Sequence, residues 1–149
     1  APQRAALQPG ARFEVRVDTC FVDVMRACAD PSRPHGWIDD GILAAYTRLH
    51  ELGWAHSIEA WHLDTGTLAG GLYGVAIGAF FAGESMFHRE TDASKAALVG
   101  LVDRLRRRAF ALLDTQWVTP HPEQFGAIEI PRAHYLRRLK EALRRECLF

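Results

Sequence analysis

Asp114 and Gln116 stand two residues apart in 110–117, a stretch that is otherwise mostly apolar. In an extended strand, positions i and i+2 share a face, so this spacing sets a carboxylate beside a carboxamide. Such a pair can hold and orient an attacking amine, or polarise a water. It can equally be a hydrogen-bonded pair closing a strand. Glu84 follows an apolar run and precedes Ser85, Met86 and Phe87. A carboxylate among apolar neighbours needs a partner or a task, because burying it unpaired is costly. Gly70-Gly-Leu-Tyr-Gly74 concentrates glycine inside an apolar run. Either tight packing or close approach of a ligand to the backbone accounts for it.

Other chemistries find less support. The histidines are scattered without HExxH or related ligand spacing, so no metal site is expected. Ser57 and Ser85 lack the context of a nucleophile elbow. Cys20, Cys28 and Cys147 have neither paired nor metal-type spacing, which fits reduced thiols and a cytoplasmic setting. No helix opens directly after the glycine-rich run, so it is not a dinucleotide fingerprint. Trp37, beside a Pro- and Gly-bearing loop, is either a cover for the core or a stacking platform for a base.

The chain of 149 residues is 48% apolar and 24% charged, the balance of one soluble globular domain. No apolar run reaches the roughly 18 residues that span a bilayer. Eighteen basic residues balance eighteen acidic ones, but the basic ones cluster: Arg104-Leu-Arg-Arg-Arg108, then Arg132, Arg137, Arg138, Lys140, Arg144 and Arg145. These form either solvated helix faces or a surface that tracks phosphates.

The elements that must position these residues follow from periodicity. Residues 1–11 read as a flexible lead-in, and 12–149 as a single domain. Phe13-Glu-Val-Arg-Val17 alternates as a half-buried strand. A helix capped near Asp18 or Thr19 presents Phe21, Val24, Met25 and Cys28, and a second is capped by Asp39 and ended by Gly53. Strands over 54–62 and 68–76 flank the hairpin signal Asp64-Thr-Gly-Thr67. A third strand near 78–83 leads to Glu84. Thr91 or Asp92 caps a helix carrying Leu98, Leu101 and Leu105. A buried strand over 110–117 and a short strand over 126–130 follow, and Pro131 opens a last, basic helix. The mixture predicts an α+β sheet with packed helices.

Several segments resemble, in order, the leucyl/phenylalanyl-tRNA–protein transferase family. They are Trp37-Ile38, Ala45-Tyr-Thr-Arg-Leu-His-Glu-Leu-Gly53, Ala55-His-Ser-Ile-Glu59, Gly70-Gly-Leu-Tyr-Gly-Val75, Phe81-Ala-Gly-Glu-Ser-Met-Phe87, Asp92-Ala-Ser-Lys-Ala-Ala-Leu98, Leu113-Asp-Thr-Gln116 and Glu129-Ile-Pro-Arg132. The resemblance covers the family's catalytic C-terminal domain, and the N-terminal domain of full-length members is expected to be absent. It implies an acetyltransferase-like (GNAT-like) fold and transfer of Leu or Phe, with Met a further option, from aminoacyl-tRNA to a protein beginning with Arg or Lys. The modified protein would be marked for degradation. A small-molecule amine is the alternative acceptor.

By the same resemblance Asp114 orients or deprotonates the amine with Gln116 as its partner, and Glu84 sits near the aminoacyl end. Leu72, Phe81, Met86, Leu98, Leu101 and Leu113 match the aminoacyl pocket, and Trp37 matches an aromatic packed on the terminal adenosine. No cofactor is implied, since the ester is already activated. The three polar residues argue against a binding-only module. An acyl-CoA acetyltransferase should show a glycine-rich pyrophosphate loop leading into a helix, and none is found.

Overall fold

A computed structural model of the chain describes residues 11–32, 36–116, 123 and 126–149. Nearly all of the expected lead-in, Trp117 and most of the loop 118–125 lie outside them. The described elements are β1 (Phe13–Val17), α1 (Phe21–Cys28), α2 (Asp40–Glu51), β2 (Ala55–His62), β3 (Leu68–Ile77), β4 (Phe80–His88), α3 (Ala93–Arg107), β5 (Leu112–Asp114) and α4 (Arg132–Arg144). The fold is α+β.

The five strands form one sheet in the order β1-β2-β3-β4-β5, antiparallel except for the parallel pair β4–β5. Helix α3 covers one face, where Ile58, Leu72, Phe81, Leu98, Leu101 and Leu105 are buried together. Helices α1 and α2 cover the other, around Phe21, Val24, Met25, Tyr73 and Phe87. Leu72 and Tyr73 show the alternation: adjacent on β3, they enter opposite cores.

The glycines of β3 answer the first ambiguity with packing. A Cβ on Gly70 would lie 2.7 Å from that of Ala93, and one on Gly71 would lie 2.9 Å from the Ile58 carbonyl. One on Gly74 would overlap the Phe81 ring and the Ala82 carbonyl. The protein itself fills the space a ligand would have needed.

Capping follows expectation at α2, where Asp39 Oδ1 accepts from Ile42 N at 2.8 Å. At α1 it does not. Cys20 is the N-cap, without a side-chain cap bond. Glu59, fully buried on β2, supplies the acceptor instead: its carboxylate receives Thr19 N at 3.0 Å, Cys20 N at 3.2 Å, Ser57 Oγ at 2.6 Å and the Thr19 hydroxyl. A long-range carboxylate thus does the work of a local cap.

Three expected strands are corrected. β4 does not end at 83 but runs on to His88, and 126–130 pairs with no strand among the described residues. The expected strand over 110–117 is paired only at Leu112–Asp114, because Gln116 turns out of extended geometry at φ +68°.

Candidate functional site

β4 continues past Gly83 by means of a bulge. Gly74 pairs with Gly83 and Tyr73 with Ser85, so Glu84 is the extra residue, opposite no partner. A bulge re-aims the side chain at the inserted position. Glu84 is hydrogen-bonded to Tyr46 of α2 and feels the charge of Asp114. Burial, the largest influence, raises its pKa from the ordinary carboxylate value; the Tyr46 bond opposes this and Asp114 adds to it. The Tyr46 phenol is pushed up to about 12, by burial and then by Glu84, so it remains a neutral donor.

Asp114 is the last residue of β5, opposite Ala82 of β4. The two strands part there. Gln116 bridges the gap through its side chain, Nε2 donating to Gly83 O at 3.0 Å. Its contact with Asp114 runs through the backbone, Gln116 N donating to Oδ1 at 2.6 Å. The other carboxylate oxygen accepts from the Tyr135 hydroxyl of α4 at 2.6 Å.

These groups edge an open cleft of about 770 Å³, lined among others by Leu98, Leu113, Asp114, Gln116, Tyr135 and Arg138. Of the residues matched to an aminoacyl pocket, Leu98 and Leu113 line the cleft. Leu72, Phe81 and Leu101 are buried behind them in the same cluster, and Met86 packs against it half-exposed. The Phe149 ring stacks on Phe81 at 5.2 Å. Trp37 is 46% exposed and meets the Tyr46 ring edge-on at 6.3 Å. Trp37 thus meets Tyr46, which in turn meets Glu84, and Glu84 feels the charge of Asp114 at the cleft.

Tyr46 and Tyr135 were missed as site residues. In the sequence Tyr46 stands only within the matched segment Ala45–Gly53, and Tyr135 falls within a helix noted only for its charge. Their phenols are the signal that was available. The basic groups also divide. Arg104 turns inward, Nη2 donating to Phe149 O at 2.7 Å, and Arg107 pairs with Asp103 at 2.7 Å. Arg137, Arg138, Lys140 and Arg144 stay exposed. Among the described residues no group of three His, Cys, Asp or Glu could hold a metal ion, and no helix is long and apolar enough to cross a membrane.

The family model described as leucyl/phenylalanyl-tRNA protein transferase matches residues 4–140. Proteins named leucyl/phenylalanyl-tRNA–protein transferase are similar to the chain over most of its length. The one from Akkermansia muciniphila is 56% identical over 132 residues, covering 88% of this chain and 67% of the relative. That from Paramagnetospirillum magneticum is 57% identical over 134 residues (89% and 63%). That from Rubrobacter xylanophilus is 55% identical over 137 residues (92% and 70%). The chain spans about two thirds of the length of these relatives. A solved structure of AAC(6')-Iy with a CoA-linked bisubstrate analogue aligns over 91% of this chain and 92% of its own, with a TM-score of 0.46 and 14% identity.

These matches define the class as an aminoacyl-tRNA-dependent transferase. The chain belongs to the leucyl/phenylalanyl-tRNA–protein transferase family.

Proposed function

We propose that this chain transfers Leu or Phe from charged tRNA to the N-terminal amine of a protein beginning with Arg or Lys. The observation that carries the reading is the carboxylate of Asp114, held by donors at both oxygens on the edge of a cleft that Leu98, Val102 and Leu113 also line. The acceptor amine attacks the ester carbonyl, and a peptide bond replaces the bond to the terminal ribose. The amine loses a proton and the departing ribose oxygen gains one. Asp114 orients the amine and takes its proton. Glu84, close enough to feel Asp114, adds negative charge that favours a cationic acceptor end. Trp37 offers its exposed face to the terminal adenine.

The donor ester is already activated, so positioning and electrostatics supply the catalysis. Leu98 and Leu113 offer the incoming side chain an apolar edge. Such a surface selects for size and separates near neighbours by only about 1–3 kcal/mol per methylene. Residues 12–149 act as one catalytic domain in this reading. A cytoplasmic setting suits it, with charged tRNA at hand and Cys20, Cys28 and Cys147 outside any disulfide among the described residues.

The test is transfer of labelled Leu or Phe from charged tRNA to an Arg-starting peptide. The wild type should transfer, and Asp114→Ala should lose roughly 10²–10⁴-fold in rate, the usual worth of a positioned acid–base group. Equal rates in the two proteins would remove Asp114 from the mechanism. Transfer to a small amine but not to the peptide would redirect the choice of acceptor.

A further inference from the structure

Among the described residues, Tyr135 makes the one side-chain bond to Asp114 that comes from a separate element. Its bond of 2.6 Å reaches Oδ2, while the neighbouring backbone N–H takes Oδ1. A carboxylate gripped at one oxygen can still swing about its side-chain bonds. Gripped at both it has one orientation, and its remaining lone pairs have one direction. A charged acceptor also makes these bonds shorter and stronger than neutral ones.

The helix that carries Tyr135 is anchored at its far end as well. Ala142 is fully buried, and its carbonyl accepts from Ala79 N at 2.8 Å at the β3–β4 turn. Gly78 sits beneath it at φ +57°. A Cβ there would lie 2.8 Å from the Ala142 carbonyl and 2.9 Å from those of Leu143 and Arg145. Seven residues of helix, roughly 10 Å, separate this anchor from Tyr135. The α4 backbone is thus docked against the sheet two turns from the phenol, and Tyr135 lines the cleft on Asp114's side.

We propose that Tyr135 is a positioning residue for the transfer reaction, acting through Asp114: it fixes the plane of the carboxylate so that its open face meets the acceptor amine. This inference rests on the proposed transferase reading. The phenol is suited to the part because burial, then Asp114 itself, push it up to about 12, so it stays a donor throughout the working range.

Tyr135→Phe removes the hydroxyl and keeps the ring. In the peptide-transfer assay kcat should fall roughly tenfold or more, the worth of a hydrogen bond to a charged group, with the KM for charged tRNA unchanged. A side chain that only walls the cleft would raise KM instead, and that result, or full kcat, overturns the proposal. Thermal unfolding of Tyr135→Phe, Asp114→Ala and the double variant supplies a readout that does not need activity. The two losses in Tm should fail to add, because each change breaks the same bond. Strictly additive losses overturn the pairing. Should the wild type transfer nothing, the function reading fails on its own, and the unfolding cycle still decides whether Tyr135 holds Asp114.

Discussion

At the scale of single residues, Glu84 holds a carboxylate where folding alone would not put one. Burial raises its folded-state pKa above the ordinary 4.5. Between those two values the folded chain binds a proton that the unfolded chain does not, so stability falls as pH rises through that window. Above that window the charge is a net cost to the fold. Glu84→Gln keeps an acceptor for the Tyr46 hydroxyl and removes the charge. Its Tm should exceed the wild type's at pH 7, and the gain should vanish below about pH 4.5, where both states of the wild type are protonated. The KM for an Arg-starting peptide should rise on the order of tenfold through loss of the charge partner. A variant no more stable at pH 7 than the wild type would show that Glu84 is solvated rather than strained. The carboxylates of the site were legible from residue type, since Glu84 and Asp114 both interrupt apolar runs. The phenols were not. A tyrosine in a helical stripe reads as apolar bulk, and only the packed fold shows where its hydroxyl lands, on Glu84 for Tyr46 and on Asp114 for Tyr135.

Among the elements, β4 does the most to build the site, and Gly74 is the residue that lets it. Between the pairs Gly74–Gly83 and Tyr73–Ser85 the strand inserts Glu84, and the Phe81 ring fills the space where a side chain on Gly74 would stand. Gly74→Ala should cost about 2 kcal/mol or more, the range for overpacking a filled core, read as a lower midpoint in denaturant unfolding. Transfer activity should fall further than the lost stability explains, because relief of the clash shifts the bulge that aims Glu84. Full activity in a folded variant would separate the bulge from the chemistry. The same bulge explains a limit of the sequence. Alternation marked β1, the turn signal Asp64-Thr-Gly-Thr67 marked the β2–β3 hairpin, helical spacing marked α3, and Asp39 announced its helix. An inserted residue shifts the phase of a strand by one, so the period that marks β4 breaks at 84 and the strand appears to stop. The cap of α1 was hidden for another reason: its acceptor, Glu59, lies 39 residues beyond Cys20.

For the molecule as a whole, charge is balanced in total and uneven in place. Basic and acidic groups each number 18. Arg104 and Arg107 are committed within the fold, whereas Arg137, Lys140 and Arg144 stand exposed on α4 at i, i+3 and i+7, one stripe of the helix. The same helix carries Tyr135 into the cleft and this stripe on its opposite, outward side, so a tRNA whose charged end reaches Asp114 would meet the stripe only where its backbone passes over the helix. The prediction separates the two tasks of α4. Arg137→Glu with Arg144→Glu should weaken binding of intact charged tRNA and lower its salt slope by about 2, roughly one for each lost phosphate contact. Transfer from a short aminoacyl-adenosine fragment, which carries no such backbone, should proceed at the wild-type rate. If the fragment slows as much as the whole tRNA, the stripe supports the site rather than the nucleic acid. If neither changes, the phosphates follow another path, and the charge on α4 serves only to keep that face in water.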